Sequence, residues 1–150
     1  MTSILVLNGP NLNLLGKREP DIYGVVTLDD INTQLKILGN ELGFEIVTSQ
    51  SNSEGELIDT LHEAERKSAG VIFNPGGYTH TSVALRDAVA AIDIPVVEVH
   101  ISNILAREDF RQRSLIAPAC AGVISGFGWR SYALALKALS EIIKTDKLSD

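Results

Sequence analysis

The chain has 150 residues, 45% of them hydrophobic and 21% charged, with 19 acidic side chains against 13 basic ones; this is the make-up of one soluble globular domain, residues 1–150, and it excludes intrinsic disorder. A domain of this size buries roughly 70% of the surface its unfolded chain exposes, so it needs no metal or disulfide staple, and the single cysteine, Cys120, has no internal partner. A formal charge of -6 and a pI near 5.0 repel nucleic acid and acidic membrane surfaces, no apolar run approaches the roughly 18 residues of a membrane span, and the N-terminus lacks an export signal, so a cytoplasmic location is expected.

Ser3 to Asn8 is a short apolar run closed by Gly9-Pro10, the pattern of a buried strand stopped by a turn. Thr27 with Asp30 is a variant of the capping box, and Leu28, Ile31, Leu35, Leu38 and Leu42 recur on one helical face up to Gly43. Phe44 to Gln50 is rich in β-branched residues and reads as a second strand. Ser53 with Glu56 repeats the capping signal, and Leu57, Ile58, Leu61 and Ala64 carry an amphipathic helix to about Lys67. Gly70 to Asn74 is a third strand, broken by Pro75-Gly76-Gly77. A helix from about Ser82 carries Val83, Leu85, Ala88, Val89 and Ile92, and Pro95 leads into a fourth strand, Val96 to His100. A polar segment with Arg107, Arg111 and Arg113 follows, then a small-residue strand near Gly122 to Ser125, a last helix over Arg130 to Lys144, and a polar tail from Thr145. Strand and helix alternate about five times, with connections too long for hairpins. The expected fold is α/β: a doubly wound five-stranded parallel sheet between two helical layers, with a flavodoxin-like strand order as the natural choice.

Ligands bind outside the carboxyl ends of strands in such sheets, so the residues after each strand matter most. After the first strand come Asn8, Asn11 and Asn13; after the third, Asn74, Gly76, Gly77, Tyr78 and His80; after the fourth, Ser102 and Asn103, leading to Arg107 and Arg111. Asn-Gly-Pro and Asn-Pro-Gly-Gly are also good turn formers in their own right, so each signal alone is weak. Glu98 and His100 lie two apart on one strand and leave the same face, which makes a carboxylate-oriented general acid or base. His62, beside Glu63 on a helix, reads as a surface residue, and Gly126-Phe127-Gly128 lacks the third glycine and downstream acid of a dinucleotide fingerprint.

The chain resembles the type II 3-dehydroquinate dehydratases along essentially its whole length. The blocks that carry the resemblance are Leu7 to Gly16, Arg18-Glu19-Pro20 with Tyr23-Gly24, Gln50-Ser51-Asn52 with Glu54 to Leu57, Phe73 to Ser82, Arg86-Asp87-Ala88, and Glu98 to Asn103 followed by Arg107-Glu108 and Phe110-Arg111. The resemblance implies conversion of 3-dehydroquinate to 3-dehydroshikimate by loss of water, with no cofactor, in shikimate synthesis or in quinate breakdown. It also implies a flavodoxin-like subunit built into trimers and then a homododecamer. By the same resemblance Tyr23 is the base that removes a proton alpha to the ketone, Arg18 its electrostatic partner, and His100 the acid that protonates the departing hydroxyl. Asn11 holds a water near the enolate oxygen. Asn74 and the amides of Ile101 and Ser102 grip the carboxylate, with Gly76 and Gly77 in the same wall, and His80 and Arg111 bind ring hydroxyls. Asp87 reaches in from a neighbouring subunit.

A phenol in water has a pKa near 10, so only about one in a thousand is phenolate at neutral pH. Lowering it by two to three units takes roughly 3 to 4 kcal/mol, and one guanidinium about 4 Å away supplies on the order of 4 kcal/mol at an effective dielectric near 20. Burial acts in the opposite direction, so Arg107 is expected as a second cation beside Tyr23. Residues 17 to 26, with Pro20 and Gly24, are expected to form a lid whose closure assembles the base and expels water. Two other readings remain open at this point. His80, Glu98 and His100 have the count of a two-histidine, one-carboxylate metal site, and the amide-rich edge would also suit a binding module for a phosphate or a flavin. A Schiff-base route has only Lys17 near the expected site, outside any apolar pocket.

Overall fold

The computed structural model describes residues 1–17, 21 and 26–145. Among them, β1 (Ser3–Asn8), β2 (Glu45–Gln50), β3 (Val71–Asn74), β4 (Val96–His100) and β5 (Gly122–Ser125) form one sheet in the order β2-β1-β3-β4-β5, every neighbouring pair parallel. The helices are α1 (Leu28–Leu42), α2 (Glu54–Lys67), α3 (Val83–Ala91) and α4 (Arg130–Lys144). This is the flavodoxin-like order. β2 and β3 begin one residue later than the sequence pattern suggests, since Phe44 and Gly70 precede the ladder.

Alternation along the strands builds two cores. Ile4 and Val6 of β1, Ile72 of β3 and Val97 and Val99 of β4 pack with Ile31, Leu35, Leu136 and Leu139 of α1 and α4. Leu5 and Leu7, Val71 and Phe73, and Val96 pack with Leu57, Leu61, Leu85 and Val89 of α2 and α3. Because both faces are covered, these strands read as continuous apolar runs. Each fully buried Leu or Ile stabilises the fold by roughly 1.5–3 kcal/mol relative to exposure. None of the described helices is long and apolar enough to cross a membrane.

The capping signals resolve in two ways. At α1 the box is complete: Asp30 N–H donates to Thr27 Oγ1 at 3.1 Å, and Thr27 N–H donates to Asp30 Oδ2 at 3.0 Å. At α2 it is half made. Ser53 Oγ accepts from Glu56 N–H at 3.3 Å, but Ser51 takes the return bond, its Oγ accepting from Ser53 N–H at 2.9 Å and donating to Glu56 Oε2 at 2.7 Å. Ser82 caps α3 through Leu85 N–H at 2.9 Å, and its hydroxyl also donates to Glu54 at the start of α2.

The chain leaves β1 toward one side of the sheet and enters β3 from the other, so the carboxyl ends of these neighbours form the topological switch point. Asn8 and Asn74 are paired across that boundary. The following loops touch: a Cβ on Gly9 would lie 2.5 Å from Pro75 O, and Gly76, at φ 61°, carries its missing Cβ position 3.0 Å from Pro10 O. Only glycine allows that approach.

Candidate active site

A cavity of about 140 Å³ opens at the switch point. Its wall is made by Pro10, Asn11 and Leu12 after β1, by Asn74, Gly76, Gly77 and His80 after β3, and by His100, Ile101, Ser102, Ile104, Arg107 and Arg111 at and after β4. The volume lies far below the roughly 300–1,000 Å³ of drug-sized sites, which suits a compact ligand rather than a flavin. Among the described residues no carboxylate lines it, while two guanidiniums and two imidazoles do. Such a wall favours an anion.

His100 is placed by strand periodicity. Val96, Glu98 and His100 alternate to the face of β4 that meets α2 and α3, and Glu98 is fully buried beneath His100. His100 Nε2 lies 2.7 Å from Glu98 Oε2. The second carboxylate oxygen, Oε1, accepts from Ser114 Oγ at 2.8 Å. Ser114 Oγ itself accepts from the N–H groups of Ile116 and Ala117 at 3.2 and 2.9 Å, so its own hydrogen is committed to Glu98. The carboxylate therefore accepts on both oxygens, His100 holds its proton on Nε2, and Nδ1 is left to serve the cavity.

His80 has the opposite arrangement. Its Nδ1 donates to Arg113 O at 2.8 Å, which leaves Nε2 as the acceptor in the neutral ring, suited to a ligand hydroxyl. Arg107 Nη1 donates to Ser102 Oγ at 3.2 Å, and Glu108 braces both arginines, with Oε1 at 3.5 Å from Arg107 Nε and Oε2 at 3.2 Å from Arg111 Nε. Its own backbone N–H and then the Arg111 guanidinium hold the Glu108 carboxyl below the usual range. The Arg111 guanidinium also lies 4.9 Å from the centre of the Phe110 ring.

The loop after β1 is held by amides. Asn11 adopts φ 69°, a left-handed conformation asparagine tolerates, and its N–H donates to Asn52 Oδ1 at 3.0 Å. Gln50 Nε2 donates to Gly9 O and to Asn52 Oδ1, both at 3.1 Å, and Tyr78 Oη donates to Asn52 O at 2.9 Å. On the other side of the sheet edge, Asn74 Nδ2 donates to Tyr132 Oη at 2.9 Å, Tyr132 Oη donates to Asn8 Oδ1 at 2.6 Å, and Gly76 N–H donates to Asn74 Oδ1 at 3.1 Å.

Of the residues expected from the sequence, Asn11, Asn74, Gly76, Gly77, His80, His100, Ile101, Ser102, Arg107 and Arg111 meet in this one wall. Glu98 stands behind His100 rather than in the wall. Asp87 is not among the described residues that line this cavity: it lies on the exposed side of α3, its Oδ1 3.5 Å from Arg86 Nη1. Arg18 and Tyr23, and most of the expected lid, lie outside the described residues. Among the described residues no three His, Cys, Asp or Glu side chains come together in a way that could hold a metal ion. Glu98 spends its two carboxylate oxygens on His100 and Ser114. Lys17 is exposed, as is His62.

Ser114 and Tyr132 were not singled out by the sequence. Their partners are 16 and up to 124 residues away, and no local pattern reports such contacts. Gln50 and Asn52 carried a signal, because Gln50 ends β2 and Asn52 follows it at the same sheet edge.

Residues 2–140 match the family described as Dehydroquinase class II. A protein from Rhizobium etli (strain CIAT 652) named 3-dehydroquinate dehydratase is 65% identical over 140 residues, covering 93% of this chain and 97% of that one. One of the same name from Pelotomaculum thermopropionicum is 59% identical over 142 residues, covering 95% and 99%. The crystal structure of the type II dehydroquinase from Butyrivibrio crossotus superposes with a TM-score of 0.90 at 43% identity, covering 92% of this chain and 97% of the other. Sequence and fold agree over nearly the whole length: the chain belongs to the class II dehydroquinases.

Proposed function

We propose that this protein is a hydro-lyase that converts 3-dehydroquinate to 3-dehydroshikimate and water, in the shikimate route to aromatic amino acids. The observation that carries the reading is the cavity wall, in which His100, backed by Glu98, faces a space flanked by Arg107 and Arg111, with no carboxylate among the described lining residues. A small carboxylate-bearing ring fits its charge and its size. The names of the relatives support the same substrate.

In the proposed sequence of steps, the phenolate of Tyr23 takes the proton alpha to the ketone, and the electron pair of that bond forms an enolate. Arg18, with Arg107 as the second cation, holds Tyr23 in its ionised form. A water on Asn11 stabilises the enolate oxygen through an oriented dipole. The enolate then collapses to the enone and expels hydroxide from the carbon beta to the ketone, and His100, as imidazolium, gives it a proton to release water. Glu98 stabilises that imidazolium and fixes the ring. Asn74, with the amides of Ile101 and Ser102 and the wall of Gly76 and Gly77, binds the carboxylate, while His80 and Arg111 bind hydroxyls. The ring is neither oxidised nor reduced, so the scheme calls on no redox cofactor.

The same reading gives one working domain over residues 1–150, located in the cytoplasm and assembled as trimers within a homododecamer, with Asp87 supplied across the subunit boundary. The decisive experiment is addition of 3-dehydroquinate to the purified protein, with the conjugated enone followed by its rising ultraviolet absorbance. Tyr23→Phe is expected to lower kcat by roughly a hundredfold or more. A wild type that produces no enone overturns the function, and undiminished turnover in Tyr23→Phe removes that residue as the base.

A further inference from the structure

Asn8 and Asn74 end adjacent parallel strands in register, and both follow the alternation that brings Val6 and Ile72 to the face of α4. Tyr132, in the first turn of α4, is fully buried there, with its hydroxyl between the two amides. Only Asn74 of the three lines the cavity.

We infer that Tyr132 is a positioning residue that fixes the Asn74 amide as a hydrogen-bond donor toward the substrate. The polarity of the relay starts from a group that cannot be turned round. Gly76 N–H is a backbone donor, so the atom of Asn74 facing it at 3.1 Å is the carbonyl oxygen Oδ1. Nδ2 therefore faces Tyr132 at 2.9 Å, and the phenol oxygen accepts. The phenol hydrogen then has one acceptor left, Asn8 Oδ1 at 2.6 Å. Burial raises the Tyr132 phenol above its ordinary range, so the hydroxyl keeps the hydrogen this relay requires.

The consequence lies in the cavity. Asn74 Nδ2 has two hydrogens, and Tyr132 uses one. The other is what Asn74 can offer a ligand, so the wall presents an N–H at this point and prefers an acceptor, such as a carboxylate oxygen, to a donor. Without the phenol hydroxyl the amide keeps only its Gly76 bond and can swing about χ2. This inference rests on the reading of Asn74 as a substrate contact.

The test combines a readout that needs no substrate with one that does. Tyr132→Phe keeps the ring and removes the hydroxyl; Asn8→Ala removes the acceptor at the far end, freeing the phenol to donate to Asn74 Oδ1 and so to compete with Gly76. In both variants the Asn74 side-chain amide protons are expected to exchange with solvent faster by NMR. KM for 3-dehydroquinate is expected to rise roughly tenfold with kcat little altered, the signature of lost uniform binding. In an Asn74→Ala background Tyr132→Phe is expected to add no further rise. Unaltered amide exchange in both variants overturns the inference. So does an unaltered KM in both where Asn74→Ala alone raises it, or a full additional rise in the double variant, since Tyr132 then acts elsewhere. Faster exchange with KM insensitive to Asn74→Ala as well keeps the positioning of the amide and overturns instead the assignment of Asn74 to the substrate.

Discussion

Ser114 illustrates how much one hydroxyl can decide. Glu98 has 0% exposure, and its two oxygens are satisfied by His100 and by Ser114. Replacing Ser114 by Ala leaves a buried carboxylate oxygen unmatched, which costs about 1–3 kcal/mol. Ser114→Ala is therefore expected to lower the urea unfolding free energy by that amount. It is also expected to reduce kcat, because a carboxylate freed on one side no longer fixes His100. Full activity at reduced stability would confine Ser114 to a structural role. Cys120 sits close to the same carboxylate, and burial, reinforced by the charge of Glu98, pushes its thiol pKa up to about 12. At neutral pH it stays a protonated, inert thiol. The pairing of Glu98 with His100 was legible in the sequence because strand periodicity alone puts residues two apart on one face. Ser114 was not legible, because its bond to Glu98 spans 16 residues and is made only by the tertiary fold.

The capping box at α1 is a feature of one element, and it titrates. The backbone N–H of Thr27, and then its side chain, hold the Asp30 carboxyl below its ordinary value of 3.8. A carboxyl depressed in the folded state contributes stability that is fully present above its unfolded pKa and is lost as the pH falls through the folded one. Acid titration below about pH 4 is therefore expected to destabilise the wild type more steeply than Asp30→Asn, whose amide oxygen can still accept from Thr27 but does not titrate in that range. Parallel unfolding curves for the two proteins between pH 5 and 2 would remove Asp30 from the acid sensitivity of the fold. This element was readable because both partners lie within three residues of each other. The matching signal at α2 was only half right: Ser51, two residues before the cap, is close enough to take over the bond to Glu56.

At the scale of the molecule, the proposed assembly makes a prediction that a lone subunit does not. If Asp87 works in the neighbour's cavity while His100 works in its own, subunits carrying His100→Ala and subunits carrying Asp87→Ala are each inactive as pure oligomers. Coexpressed, they are expected to recover part of the wild-type turnover, since some mixed trimers then contain a cavity with both residues intact. No recovery from well-mixed oligomers would confine each site to one chain. What the sequence determined by itself was everything carried by local periodicity and by turn chemistry: the alternation of strands and helices, the caps, the pairing of Glu98 with His100, and the amide and glycine loops at strand ends. What only the tertiary structure decided was the strand order, which puts β1 beside β3 and so opens the cavity, together with the Asn8, Tyr132 and Asn74 relay and the Ser114 bond to Glu98. The physical reason is one of range: dihedral preferences and periodicity act over a few residues, whereas these contacts form only when whole helices settle onto opposite faces of a completed sheet.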